Sequence, residues 1–281
     1  MKRLIVLCCL LSVCSISYAK DKFAYVINSN NPPPFGSGTG AGFIYQINKR
    51  TGVITNTYTN LSGRNGRGVA VVGNTMYYTD YPRVGDPHFI YSYNLRSHTD
   101  NGALFSLPVA VSAIAFDGTN FYLADYNGNN TVYKYSKTGT LLKTITLSLC
   151  VAYCDGLEYF EKGGVGYLVS NRGDQHGPYD LYDLSGNLVI ADFIHPGGSS
   201  DPSAITPTGI AFDGHHFFTT GWLGHSLEVW DTNGVFVKSI NVSGWPQKLG
   251  TAFEDLSFDY CAVLQDKEGE DREGEGGCQD F

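Results

Sequence analysis

Four carboxylates stand where they could do chemistry together: Asp155, Glu158, Glu254 and Asp255. Carboxylate oxygens are hard donors, and a group of them suits Ca²⁺, the cofactor this set would take. Glu158 is the most conspicuous. Aligned segments of the chain hold Ala70, Ala115, Ala211 and Ser257 at its position, and a residue that breaks a local rule tends to mark a functional or strained site. Satisfaction by water or by Arg67 is the plainer account of it. A second set is histidine. His88, His176 and His225 each follow a loop rich in Gly and Asp, and imidazoles on one face could form a metal or acid–base cluster. Loops on separate segments are often too far apart for that, and exposed loop residues explain them more simply. Asp80, Asp125 and Asn171 end aromatic segments, where they either bond a ligand or cap their own loops. Trp222 is placed to stack on a sugar or peptide. No nucleophile elbow, phosphate loop or zinc-hydrolase helix occurs.

The elements that must position these residues come from a repeat. RGVAVVGNTMYYTDY from Arg67, SAIAFDGTNFYLADY from Ser112, DGLEYFEKGGVGYLVSN from Asp155 and TGIAFDGHHFFTTGW from Thr208 match one another, and EDLSFDYCAVL from Glu254 matches in its first part. Aligned on Val69, Ile114, Leu157, Ile210 and Leu256, the spacings are 45, 43, 53 and 46 residues, the period of a propeller blade. Each unit reads as a short apolar strand, an aromatic strand, an alternating strand, a Gly turn and a last strand. That is one four-stranded antiparallel blade. Phe23 to Ile27 matches a second strand, and the orphan first strand from Asp255 to Phe258 lies at the other end of the chain. One blade built from both ends removes exposed sheet edges. The expected fold is an all-β, five-bladed β-propeller, with six blades as the alternative if the interval containing His195 to Ser200 hides another. The residues entering the first strands, and so lining one channel mouth, are Arg67, Ser112, Asp155, Thr208 and Glu254.

Lys2 and Arg3, an apolar run from Leu4 to Val13, and Ser17-Tyr18-Ala19 read as a signal peptide over residues 1–19. The expected organisation is then a propeller over 20–264 and an acidic, disordered tail over 265–281. Secreted or periplasmic localisation follows. Cys150, Cys154, Cys261 and Cys278 remain after cleavage, an even number in an oxidising compartment. Cys150–Cys154 and Cys261–Cys278 are the local pairings, among three connectivities that four cysteines allow. The formal charge is −8, and without a Lys/Arg cluster the chain has no electrostatic footprint for nucleic acid. No segment after the leader suits membrane insertion, and a monomer is expected.

The pattern of apolar-Ala-Phe-Asp-Gly, an aromatic strand ending in Asp, and a later Thr-Gly or Ser-Gly turn resembles the NHL, YVTN and SMP-30-like propeller repeats from Phe23 to Phe258. The resemblance implies the fold and leaves function open, because such propellers include protein-binding modules, lactone hydrolases and a streptogramin lyase. In the lactone hydrolases a Glu at a first-strand entrance binds the metal, and Glu254 resembles it in position. Two expectations follow. One is a secreted binding module that presents its loops to a protein, peptide or glycan; Arg67, Asp80, Asp125, Asn171 and Trp222 would lie on its ligand face. The other is a Ca²⁺-dependent lactone hydrolase or streptogramin-lyase-like enzyme, with Asp155, Glu158 and Glu254 as ligands and His88, His176 or His225 as base.

Overall fold

The computed structural model describes residues 22–30, 43–59, 65–81, 86–127, 129–150, 154–173, 178–196, 207–221, 226–244 and 251–268. Period-two alternation of β-branched and aromatic residues gives twenty strands among the described residues. Three come first, β1 (Phe23–Asn30), β2 (Phe43–Asn48) and β3 (Ile54–Thr59). Blade 1 is β4 (Asn65–Val72), β5 (Thr75–Tyr81), β6 (His88–Asn94) and β7 (Thr99–Leu107). Blade 2 is β8 (Val111–Phe116), β9 (Asn120–Asp125), β10 (Thr131–Ser136) and β11 (Leu141–Thr146). Blade 3 is β12 (Leu157–Lys162), β13 (Val165–Asn171), β14 (Tyr179–Asp183) and β15 (Leu188–Ile194). Blade 4 is β16 (Pro207–Phe212), β17 (Phe217–Gly221), β18 (Ser226–Trp230) and β19 (Phe236–Asn241). The last strand, β20 (Thr251–Ser257), pairs with β1, so that blade 5 has the order β20-β1-β2-β3. The chain is a five-bladed β-propeller.

Burial follows radius. Every residue of β8 and β16 is buried, whereas β11 exposes all but Ile145. Innermost strands are covered on both faces by neighbouring blades; outermost strands keep one face in water. The cores between blades are built from large rings, such as Phe160, Phe212 and Phe217, whose centroids lie 4.9–5.0 Å apart. The two contacts of Phe160 are edge to face, a packing that adds to the area the rings bury. The last turn of a blade packs against the outermost strand of the preceding one. A Cβ on Gly186 would lie 2.2 Å from Thr146 O, and one on Gly234 would lie 1.8 Å from Phe193 O. Both glycines also take positive φ, 90° and 79°. Glycine meets both demands at once.

Closure uses more than the β1–β20 ladder. Adjacent innermost strands belong to different sheets, so the N–H groups of β4 need other acceptors. Alternate side chains along and just beyond β20 supply them. Asp255 Oδ2 accepts from Val69 N at 2.9 Å, Ser257 Oγ from Val71 N at 3.0 Å, and Asp259 Oδ1 from Gly73 N at 2.8 Å. Asp259 Oδ1 also accepts from Cys261 N at 3.0 Å, the bond of a helix N-cap. It starts helix α1 (Tyr260–Glu268), which the strand pattern of the sequence did not foreshadow and which runs past the boundary expected at 264.

Helix α1 lies across the lower end of the channel. The Tyr260 ring sits 5.8 Å from that of Phe116 in blade 2, and its hydroxyl reaches Glu158 in blade 3. Leu264 lies against the β8–β9 turn at Gly118, and Val263 near the β16–β17 turn at Gly214. Cys150 and Cys154 are joined as expected. Cys261 is also in a disulfide; Cys278, the tail from 269 onward and the leader lie outside the described residues. No helix among the described residues is long and apolar enough to cross a membrane.

Candidate functional site at the channel mouth

The five first-strand entrances divide into two kinds. Ser112 and Thr208 use their hydroxyls between blades: Ser112 donates to Cys154 O at 2.8 Å and Thr208 to Phe253 O at 2.7 Å. Arg67, Glu254 and Asp155 interact with one another instead. Arg67 Nη1 donates to Glu254 Oε2 at 2.6 Å, with both residues buried. The guanidinium lies 4.4 Å from the Tyr126 ring centroid and 5.0 Å from that of Tyr81, and the two rings meet edge to face at 5.2 Å. A planar cation stacked on rings and paired with a carboxylate is a favourable arrangement for arginine. Burial works against the Arg67 charge, but Glu254, Tyr126 and Asp155 outweigh it and hold the pKa above its ordinary value.

Asp155 is pushed up to about 7, first by burial and then by the negative charge of Glu254, against the pull of Arg67. Tyr126 is pushed up to about 12, chiefly by burial, although Arg67 lowers it. Two polar atoms of this group, Arg67 Nε and Asp155 Oδ1, are buried without a hydrogen-bond partner among the described residues. The mouth therefore joins a fixed cation, an anion, a carboxyl that changes charge near neutral pH and two phenol rings. It can bind a polar group, and Asp155 can exchange a proton there.

The other carboxylates face elsewhere. Glu158, 1% exposed, accepts from Phe212 N at 3.1 Å through Oε2 and from the Tyr260 hydroxyl at 2.8 Å through Oε1. Glu158 Oε1 also accepts from Tyr159 N at 2.7 Å, and together these bonds tie blade 3 to blade 4 and to α1. Asp255, fully buried, spends Oδ2 on Val69 N and Ile114 N. Burial holds its carboxyl well above the usual range, and Glu158 adds to this. Among the described residues no three His, Cys, Asp or Glu side chains gather as a metal group.

His88 lies by Asp80 and Asp125 between blades 1 and 2; burial lowers its pKa and the two carboxylates oppose that. His176, His225 and Trp222 lie outside the described residues. Asp125 caps its own loop, accepting from Asn127 N at 2.7 Å and Tyr133 OH at 3.2 Å. Asn171 ties blade 3 to blade 4 by donating to Pro207 O at 2.9 Å. Tyr81 and Tyr126 were missed, although each follows the Asp that ends a second strand, as Asp80-Tyr81 and Asp125-Tyr126. That repeated pair was the signal.

No family model matches the chain, and no curated protein matches it. Solved structures do. A chain from the crystal structure of a nidogen/laminin complex superposes with a TM-score of 0.52 at 13% identity, covering 83% of this chain and 97% of that one. A protein of unknown function from Bacteroides caccae gives 0.48 at 14%, covering 84% and 98%. A glutaminyl cyclase from Myxococcus xanthus gives 0.46 at 13%, covering 75% and 76%. The likeness is one of fold.

Proposed function

We propose that this chain is a binding module, secreted or periplasmic, that presents the loop face around its upper channel mouth to a protein, peptide or glycan. The observation that carries the reading is the buried Arg67 Nε and Asp155 Oδ1, one donor and one acceptor, left without partners beside two tyrosine rings. Buried polar groups are normally hydrogen-bonded, and a ligand amide matches both. Its carbonyl accepts from Arg67 and its N–H donates to Asp155. Amides are present in peptide bonds, in Asn and Gln side chains and in N-acetylated sugars. Helix α1 packs on turns of blades 2 and 4 at the opposite end, which leaves this mouth as the favoured side for a ligand.

The test is a titration of ¹⁵N-labelled full-length protein with N-acetylglucosamine and with N-acetyl-glutamine amide, following the backbone amide resonances of Tyr81, Tyr126 and Asp155, which parent and variant share. Saturable shifts are expected, with binding weakened roughly tenfold by Arg67→Met, the loss of about one charge-assisted hydrogen bond. Shifts of the same size in that variant, or none in the parent, sink the reading.

The enzyme reading is favoured by one observation, the Asp155 carboxyl at about 7, which lies in the range of acid–base catalysts. Ca²⁺ separates the two. A ligand that binds only the folded state raises its melting temperature with concentration. A saturable rise that Asp155→Asn abolishes favours the hydrolase; no shift at millimolar Ca²⁺ favours the binding module.

A further inference from the structure

We propose that the outer rim, where β3 of blade 5 meets the last turn of blade 1, is a slot for a guanidinium group, that of an arginine side chain. The repeat itself points there. The last turn of each of the other four blades places Gly52, Gly139, Gly186 or Gly234 in left-handed backbone. Blade 1 places His98 there, with φ of 54°. A β-carbon is unfavourable in this conformation, and such residues persist where their surroundings hold them, often at binding sites. The residue beneath changes too. The buried side chain of the outermost strand is Ile145 in blade 2 and Ile240 in blade 4, but Tyr58 in blade 5. A ring already lies under glycine at one other junction, where Phe105 sits beneath Gly139; only at the Tyr58–His98 junction among the described residues is the turn residue itself also a ring.

The rings form three walls. Tyr58 and His98 are near parallel, at 21°, with centroids 6.5 Å apart; Tyr93 stands at 66° to Tyr58, 5.5 Å away. Asn56, Thr57, Thr59 and Asp100 complete the lining of a cavity of about 300 Å³. A flat group stacked between two rings needs them about 7 Å apart, twice a carbon contact distance. His98 is exposed and can shift outward by the small difference. Of flat groups, the guanidinium is the one this lining selects. It stacks on aromatic faces and forms paired bonds to a carboxylate, and Asp100 lies directly across the strand pair from Tyr93. An ammonium is not flat, and a neutral sugar gains nothing from the Asp100 charge.

The measurement is binding of N-acetyl-arginine amide to the full-length protein, read from the His98 and Tyr93 ring resonances. Saturable binding is expected, at least tenfold weaker for N-acetyl-lysine amide and for Asp100→Asn. His98→Gly restores the residue that the repeat uses elsewhere, so the variant should fold, keep its melting temperature and lose at least tenfold in affinity. Arg67→Met, which alters the channel mouth, should leave this binding unchanged. The proposal is overturned if arginine amide fails to saturate, if the lysine amide or N-acetylglucosamine binds equally well, if His98→Gly binds as the parent does, or if Arg67→Met abolishes binding.

Discussion

At the lower end of the channel Glu158 is met by the Phe212 N–H and the Tyr260 hydroxyl, and α1 covers the pair. At the upper end Asp155, Glu254 and Tyr126 surround Arg67, and two of the polar atoms there have no partner. Both ends use carboxylates and tyrosines, buried at the lower end and partly exposed at Asp155 and Tyr126. The difference is whether the fold itself supplies every hydrogen bond. At Glu158 it does, and the carboxylate ties blade 3 to blade 4 and to α1; at Arg67 Nε and Asp155 Oδ1 it does not, and these are the atoms that the proposed ligand would satisfy. A carboxylate in an unusual repeat position is therefore not by itself a site.

Breaking the lower end should have the largest effect. Glu158→Ala leaves a buried N–H and a buried hydroxyl without an acceptor and opens a cavity; a loss of about 3 kcal/mol is expected. Urea unfolding monitored by fluorescence measures it. A loss under about 1 kcal/mol would mean that water replaces the carboxylate easily and that the two ends do not differ. Tyr260→Phe is gentler, removing only the hydroxyl that reaches Glu158 Oε1. The expected loss is about 1–2 kcal/mol by the same assay. No loss would show that α1 rests on the channel without locking it.

The sequence showed the ring readily because blades repeat. The aligned Val69, Ile114, Leu157, Ile210 and Leu256 all fall in innermost strands, and the orphan strand did close blade 5. Arg67, Asp155 and Glu254 were legible as mouth residues for the same reason. Their contacts were not. Arg67 and Glu254 are 187 residues apart, and nothing local shows that Ser112 and Thr208 turn to a neighbouring blade while these three turn to each other. Helix α1 was hidden because it is short and runs into an acidic segment that reads as disordered. His98 was legible in principle. Asn94-Leu95-Arg96-Ser97-His98 follows the pattern of Asn48-Lys49-Arg50-Thr51-Gly52, and the missing glycine is the anomaly.

An effect of similar size, seen only through pH, sharpens the comparison at the upper end. The Asp155 carboxyl, ordinarily near 3.8, is raised to about 7 in the folded protein. Between these values the unfolded chain has lost the proton and the folded chain keeps it. Folding then takes up a proton, so stability falls as pH rises. The contribution of Asp155 is fully present below about pH 4, declines through about 7 and is flat beyond. Asp155→Asn cannot ionise and should escape this decline. The variant should match the parent near pH 4 and exceed it by about 1–2 kcal/mol at pH 8, after discounting for a residue that is only half-buried as a whole. Parallel unfolding curves across that range would show that Arg67 holds Asp155 ionised throughout. The mouth would then present one cation between two fixed anions, and an amide donor, rather than a proton, would be what Asp155 is placed to receive.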